Sequence, residues 1–143
     1  MIILDTNVVS EMLRPVPAPR VEAWLAGRSG ATVYFTAVGE AELRHGVAIL
    51  PAGRRRTALA KAIDEMLDED FRERVLPFDR AASRAYATIA AERRAAGRPI
   101  SQFDCQVAAI ARVHGAVVAT RNARDYAGCG IAVIDPWQRV EGR

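Results

Sequence analysis

The sequence has very little lysine, cysteine or histidine. The shortage of lysine leaves the positive charge to arginine, and the other two shortages argue against disulfide and zinc sites. Lys61 is the only lysine among 20 basic residues, so arginine carries nearly all of the positive charge. Cys105 and Cys129 stand alone, without a CxxC motif, so they argue against a disulfide scaffold and are expected to be reduced thiols or small packing residues. His45 and His114 are widely separated, and no His/Cys ligand cluster supports a zinc site.

Long hydrophobic runs are also missing. The longest uninterrupted apolar stretches span a handful of residues, far below the roughly 18 that a membrane-spanning helix requires. The N-terminus has no basic segment and reaches an acid at position 5, which is unlike a secretory signal peptide. The sequence therefore predicts a cytoplasmic protein that makes no contact with a membrane.

The composition is that of a globular protein. The chain has 143 residues, of which 50% are hydrophobic and 26% are charged. This size predicts a single domain that spans residues 1–143. The net charge is +3, and arginine suits phosphate because its planar fork can grip two oxygens at once. An arginine-weighted surface is compatible with nucleic acid, although a general bias towards alanine and arginine explains it equally well.

Strand and helix patterns alternate along the whole chain. Short apolar, β-branched or aromatic stretches predict strands at residues 2–4, 32–36, 75–78, 116–120 and 131–134. Helical spacing predicts intervening helices, including 38–50, one that ends near residue 71, a long one after Asp79, and one that starts at Ser101. Alternation of this kind implies parallel βαβ units. The expected fold is a Rossmann-like three-layer α/β/α sandwich with a parallel sheet of about five strands.

Asp5 follows the first predicted strand directly, within an Asp-Thr-Asn turn. Ligands collect beyond the carboxyl ends of strands in open α/β sheets, so a carboxylate there is a candidate functional group. The alternative is that Asp5 or Thr6 caps the helix that follows, since Asp, Thr and Asn are all favoured at that position. Further acids at other strand ends would favour the functional interpretation.

A second pair of acids, Glu40 and Glu42, lies in the first turns of the helix after the second strand. Two residues along a helix correspond to about 200°, so the two side chains cannot point the same way. Periodicity does not choose between them. Both could instead stabilise the helix N-terminus through its macrodipole.

Two more polar positions extend the pattern of acids near strand ends. Asp104 occupies the third position of a possible capping box that begins at Ser101, so capping is an alternative role for it. Residues 120–125, Thr-Arg-Asn-Ala-Arg-Asp, form a polar segment after the fourth strand. Carboxylates gathered at one edge of a sheet would raise one another's pKa values, and a bound Mg²⁺ or Mn²⁺ would remove that penalty.

Five segments, in this order and spacing, give the chain a family resemblance. It resembles the PIN-domain ribonucleases, specifically the VapC/FitB-type toxins of bacterial toxin–antitoxin pairs. The segments are the opening Ile-Leu-Asp-Thr-Asn-Val-Val-Ser-Glu, Ala-Glu-Leu-Arg-His-Gly ending at Gly46, Asp-Cys-Gln-Val-Ala-Ala from Asp104, Ala-Thr-Arg-Asn-Ala-Arg-Asp from Ala119, and a terminal Asp-Pro-Trp at 135–137.

The resemblance implies a site and a reaction. It selects Glu42 over Glu40, because the family's second acid precedes a leucine, and it implies metal-binding acids at Asp5, Glu42 and Asp104. The implied reaction is Mg²⁺- or Mn²⁺-dependent hydrolysis of RNA. We expect the remaining roles to divide between residues that orient the carboxylates (Thr6, Asn7 and Thr120) and residues that hold the RNA backbone (Arg121 and Arg124).

One position departs from the family pattern. The family often carries a fourth acid directly after Thr-Arg, and this chain has Asn122 there. Asn122 can offer an oxygen to a metal-bound water, and Asp125 can supply the charge one turn later. Both residues are therefore candidates for the fourth catalytic position.

The resemblance also implies partners. It predicts a small antitoxin protein that inserts a peptide into the active-site groove, and a homodimer formed through the exposed helices around residues 38–70. We expect Arg54, Arg55 and Arg56 to lie in a loop between helices.

Two alternatives remain at this point. One is a catalytically silent binding module that keeps the fold. The other is a phospho-acceptor receiver domain, which Lys61 argues against because receiver chemistry uses a lysine beyond a late strand.

Overall fold

A computed structural model describes residues 1–138, and residues 139–143 of the predicted domain lie outside it. The strands are β1 (Ile2–Leu4), β2 (Val33–Thr36), β3 (Val75–Leu76), β4 (Val117–Ala119) and β5 (Val133–Ile134). The α-helices are α1 (Thr6–Met12), α2 (Pro19–Ala26), α3 (Ala37–Ala48), α4 (Arg54–Glu65), α5 (Arg80–Ala95) and α6 (Gln102–His114). The alternation of strands and helices predicted from the sequence is confirmed; β1 has the predicted bounds, and the other four strands are shorter than predicted.

The five strands form one parallel sheet in the order β3-β2-β1-β4-β5. The strand order reverses between β1 and β4, and such a switch point opens a crevice at the carboxyl ends of the strands. The backbone N–H of Asp5 donates to the carbonyl of Ala119 at 2.9 Å, which fixes the ends of the two strands side by side. The residues after β1 and β4 therefore share the crevice.

The strand order also decides against the receiver alternative. A receiver-type sheet has the order 2-1-3-4-5, whereas here β1 lies between β2 and β4. Lys61 lies in α4, where its ammonium is 3.9 Å from Glu65 and its side chain is 77% exposed. The receiver alternative is therefore wrong.

Helices cover both faces of the sheet. Along β1 successive side chains alternate: Ile3 packs into a core with α5 and α6, and Leu4 packs into a second core with α1, α2, α3 and α4. Ile89 and Ile110 represent the first core, and Val8 and Ile63 the second, and all four are at most 1% exposed. The predicted three-layer α/β/α sandwich is confirmed.

Helix α3 leaves β2 without any spacer, and Gly39 makes this possible. The Thr36 hydroxyl caps the helix by accepting from the N–H of Gly39 at 2.9 Å. A Cβ added to Gly39 would stand 2.5 Å from Cε1 of Phe35, so any other residue would push the helix off the core. This tight start places Glu42, the sixth residue of α3, within two helical turns of the carboxyl end of β2.

Two local predictions were wrong. Arg54, Arg55 and Arg56 form the first turn of α4 and do not lie in a loop, because α4 starts directly after Gly53 and arginine is a good helix former. Residues 123–125 were expected to be part of a polar loop, but Ala123–Tyr126 is a 3₁₀ turn. The helix expected to end near residue 71 changes from α to π form at Met66–Asp70.

Both cysteines are buried free thiols, as expected from the sequence. Burial raises the pKa of the Cys105 thiol to about 11, which keeps it protonated and unreactive at neutral pH. Across residues 1–138, no helix combines the length and the apolar character needed to cross a bilayer.

Candidate active site

Asp5 begins α1 and points its carboxylate into the crevice between β1 and β4. It is the N-cap of α1, and its Oδ1 accepts from the N–H of Thr6 at 2.9 Å. Its Oδ2 accepts from two hydroxyls, that of Thr120 at 2.9 Å and that of Tyr126 at 3.0 Å. Of the two residues named as possible caps, Asp5 and Thr6, it is Asp5 that caps α1, and its carboxylate also lines the cavity described below.

Thr120 has only one way to use its hydroxyl. Its Oγ1 accepts from the side-chain amide of Asn7 and from the backbone N–H of Asn122, each at 3.1 Å. Both acceptor positions are therefore filled, and the single proton must go to Asp5. The Asn7 Oδ1 accepts in turn from the N–H of Arg121 at 3.2 Å, which ties α1 to the segment after β4. Asn7 and Thr120 thus hold Asp5 in orientation, whereas Thr6 contributes only its backbone N–H.

Asp104 lies in the first turn of α6, where Ser101 is the N-cap and accepts from the Asp104 N–H at 3.2 Å. The capping role thus falls to Ser101, and the Asp104 carboxylate remains available to the cavity. Asp104 Oδ1 is 3.4 Å from the Tyr126 hydroxyl, which also contacts Asp5. One buried phenol therefore joins carboxylates from β1 and α6.

These residues surround a cavity of about 550 Å³ at the switch point. Glu42 lines it, whereas the Glu40 carboxylate is 2.8 Å from the side chain of Arg44 and lies outside the lining. Asn122 and Asp125 both line the cavity, so the two candidates for the fourth position are brought to the same place. Most of the predicted site residues are in the lining: Asp5, Thr6, Asn7, Glu42, Asp104, Arg121, Asn122 and Asp125. Arg124 is exposed on the same turn but does not line the cavity.

The cavity disfavours the negative charge that its own carboxylates carry. Burial raises the pKa of Asp5, and the charge of Glu42 raises it further, against the lowering effect of the three hydrogen bonds. Burial also raises the pKa of Asp104, with further contributions from the charges of Asp5 and Asp125. A cation in this cavity would relieve both effects.

The donor set fits Mg²⁺ or Mn²⁺, because every side chain that could reach such an ion offers oxygen. Within residues 1–138 no three His, Cys, Asp or Glu side chains form a ready-made group that could hold a metal ion. Mg²⁺ usually keeps several waters and takes one or two protein carboxylates, so it needs no such cage. Asp5 and Asp104, joined through Tyr126, supply that number.

Three site residues were not predicted from the sequence. Glu11 lines the cavity from α1, Arg14 lines it from just after the end of that helix, and Tyr126 lies behind the two carboxylates. Helical spacing could have found Glu11, which is four residues after Asn7 and so shares its face. The Glu11 carboxylate, only 6% exposed, also accepts from the N–H of Ala18 at 3.2 Å and closes the loop before α2.

Comparison with known proteins decides the family. A family model described as PIN domain matches residues 2–127. The chain belongs to the PIN domain family. Among curated PIN-family relatives it is 41% identical to VapC ribonuclease Y4jK of Sinorhizobium fredii over 138 residues, which is 96% of this chain and 99% of that protein. It is 40% identical to toxin FitB of Neisseria gonorrhoeae over 137 residues, with the same coverage of both chains.

A solved structure shares the fold of this PIN domain over its full length. A chain in the structure of FitAB bound to an IR36 DNA fragment superposes with a TM-score of 0.93 at 38% sequence identity. The match covers 100% of both chains. The PIN-like fold expected from the resemblance is therefore confirmed.

Replacing Asp104 by asparagine should stabilise the metal-free PIN domain. The pKa of Asp104 is raised above its usual 3.8, so its contribution favours the folded state at low pH and is lost as the pH rises through the folded pKa. We expect Asp104→Asn to raise the melting temperature in EDTA by a few degrees at pH 7.5, and the gain to vanish as the pH falls towards 4.

Differential scanning fluorimetry across this pH range measures the effect. Asp68→Asn, at an exposed acid outside the site, is the matched control and should leave the melting temperature unchanged. A lower melting temperature for Asp104→Asn at pH 7.5 would contradict the cause assigned to the pKa shift.

Proposed function

We propose that this PIN-family chain is a metal-dependent endoribonuclease and the toxin of a toxin–antitoxin pair. The observation that carries the proposal is that four carboxylates, apart from the hydrogen-bonded Glu11, meet in one cavity at the switch point of the sheet. They come from four different places in the chain: Asp5, Glu42, Asp104 and Asp125. The names of two relatives, VapC ribonuclease and toxin FitB, support the same function.

The carboxylates have different proposed roles in metal binding and water activation. Asp5 and Asp104 would hold Mg²⁺ or Mn²⁺, and Glu42 would ligate the ion or orient a water beside it. The ion would lower the pKa of that water and offset the negative charge that develops on the phosphate. Asn122 would offer its side-chain oxygen to the same water, and Asp125 would supply the charge that the Asn122 position lacks.

The RNA backbone has two arginines within reach. Arg14 and Arg121 both line the cavity beside the acids. The Arg121 guanidinium is stacked 5.1 Å from the ring centre of Trp137, which pre-orients it for phosphate. We assign the main phosphate contact to Arg121 and a secondary one to Arg14. Arg124 would contact RNA only beyond the cavity.

An apolar groove leads away from the acids and suits an antitoxin peptide. It has a volume of about 820 Å³ and shares Thr6, Ser10, Arg14 and Glu42 with the catalytic cavity. Apolar side chains from the end of α1 and from α3 and α4 line much of the rest, among them Leu13, Leu43, Val47, Leu59 and Ile63. A small antitoxin could seat apolar residues in the groove and place a basic side chain among the acids.

A homodimer and a cytoplasmic location complete the proposal. The dimer contact is assigned to the helices around residues 38–70. Ile49 supports this assignment, because it is an apolar side chain that is 70% exposed at the end of α3. Sedimentation of the isolated chain would measure the oligomeric state.

Metal removal tests the function directly. We expect the purified chain, freed of antitoxin, to cleave a single-stranded or structured RNA in Mg²⁺ or Mn²⁺, to lose cleavage in EDTA, and to regain it when Mn²⁺ is added back. The measurement is the rate of product formation on a denaturing gel with an end-labelled RNA. Titration calorimetry measures the affinity of the same chain for Mn²⁺ in parallel.

The two assays separate the proposal from its alternative. Cleavage that persists in EDTA would contradict the metal mechanism. A chain that cleaves no RNA and binds Mn²⁺ poorly or not at all would instead be the silent binding module.

A further inference from the structure

The hydroxyl of Tyr126 lies between the two carboxylates to which the ion is assigned. It is 3.0 Å from Asp5 Oδ2 and 3.4 Å from Asp104 Oδ1. The tyrosine side chain is one of the largest in the core and is only 1% exposed. A phenol has a single proton to share between these two acceptors. The shorter contact is the one to Asp5, so the proton is assigned to Asp5, and the same hydroxyl contacts Asp104 at the longer distance.

The phenol contacts the carboxylates from behind. Asp5 and Asp104 line the cavity, whereas Tyr126 does not. On Asp5, Oδ2 is occupied by the hydroxyls of Thr120 and Tyr126, and Oδ1 has only the N–H of Thr6. A carboxylate oxygen has two lone pairs, so Asp5 Oδ1 keeps one for a ligand in the cavity. Tyr126 therefore fixes which oxygen of Asp5 is free.

The backbone around Tyr126 is held in place independently. The guanidinium of Arg93, from α5, donates to the carbonyl of Asp125 at 3.0 Å and to that of Ala127 at 2.6 Å. These two carbonyls flank Tyr126 in the chain. Arg93 is itself buried, and it also donates to the carbonyl of Arg98 at 2.6 Å. The phenol thus projects from a turn that hydrogen bonds hold against α5.

We propose that Tyr126 is a positioning residue that sets the separation and orientation of Asp5 and Asp104 for the metal ion. It touches neither the ion nor the RNA and acts only through the two carboxylates. This inference rests on the proposed function, because it assigns the ion to those two residues. Loss of a group that orients metal ligands typically weakens metal binding by about 10–100-fold.

A purely structural role predicts a different result. If Tyr126 only filled the core, phenylalanine would replace it with no effect on metal binding, since the ring is retained. Tyr126→Phe removes the hydroxyl alone and should fold. The matched control is Tyr86→Phe, because Tyr86 packs against the same core as Tyr126 and its ring makes an edge contact with Phe78.

The experiment compares Mn²⁺ binding by the wild-type chain, Tyr126→Phe and Tyr86→Phe in titration calorimetry. We expect the Kd for Mn²⁺ to be at least about tenfold higher for Tyr126→Phe and unchanged for Tyr86→Phe. In the cleavage assay, the Mn²⁺ concentration for half-maximal rate should rise by the same factor. The rate at saturating Mn²⁺ should recover to within about fivefold of wild type, because the ligands themselves are intact.

The outcomes separate this inference from the proposed function. If wild type binds Mn²⁺ and cleaves RNA, and Tyr126→Phe has the wild-type Kd, the positioning role is overturned and the function stands. An equal loss of Mn²⁺ affinity in Tyr86→Phe would overturn it as well, since the effect would then belong to the core. A wild-type chain that binds no Mn²⁺ and cleaves no RNA would overturn both.

Discussion

Replacing Asp5 by asparagine should lower metal-dependent RNA cleavage by on the order of 100-fold or more while the chain stays folded. Asp5 is the proposed metal ligand with the most support, because three donors orient its carboxylate and one lone pair of Oδ1 is left for the cavity. Asparagine keeps the size of the side chain and caps helices about as well as aspartate. The loss of the charge is thereby separated from the loss of the cap.

Asp79→Asn is the matched control for this change. Asp79 is also a helix N-cap, and its Oδ1 accepts from the N–H of Ala82 at 2.9 Å. The control should keep both the melting temperature and the cleavage rate. Rates are measured with end-labelled RNA in saturating Mn²⁺, and circular dichroism checks the fold. Wild-type cleavage by Asp5→Asn would remove Asp5 from the metal site.

Replacing Arg93 by alanine should lower the free energy of unfolding by about 3 kcal/mol, one of the largest stability losses in the chain. The Arg93 side chain is only 7% exposed, and its guanidinium donates to the carbonyls of Arg98, Asp125 and Ala127. A hydrogen bond from a charged donor contributes about 1.5–3 kcal/mol, but the three carbonyls are only partly buried, so water replaces part of what is lost. Relief of the buried charge offsets part of this cost. In a chain of this size the net loss corresponds to a fall of roughly 10 °C in melting temperature.

Two further variants of α5 test the cause. Arg94→Ala removes the next arginine, which is exposed, and should shift the melting temperature very little. Arg93→Met keeps an unbranched apolar stem but has no donors, so it should be destabilised too. Urea unfolding followed by fluorescence gives the free energies. An Arg93→Met chain as stable as wild type would mean that burial of the charge costs as much as its hydrogen bonds contribute.

The sequence was sufficient for the fold because its main determinants are local. The apolar run at residues 2–4, the cap at Asp79, and the stop at Gly115 with its positive φ of 62° are each encoded within a few residues. The first turn of α4 was not predicted, because three arginines carry no hydrophobic periodicity. Strand order follows from pairing between distant segments, so the switch point between β1 and β4 emerged only from the structure.

The candidate site was predictable only where a polar residue follows a strand or begins a helix. Asp5 and Asp104 stand at such positions, whereas Glu42 is the sixth residue of α3 and was selected over Glu40 only by the family resemblance. Tyr126 and Arg93 have no such marker, since one looks like a core aromatic residue and the other like one of many surface arginines. Their roles depend on contacts with residues that are 121 and 32 positions away. No spacing rule in a single sequence reports contacts of that kind.

The same long separation has a consequence for synthesis on the ribosome. The hydroxyls that orient the Asp5 carboxylate are synthesised 115 and 121 residues after Asp5 itself. A nascent chain that has not yet produced β4 and the turn after it has Asp5 and Glu42 but lacks this support. We therefore expect the proposed nuclease to stay inactive until β4 and the turn after it have left the ribosome.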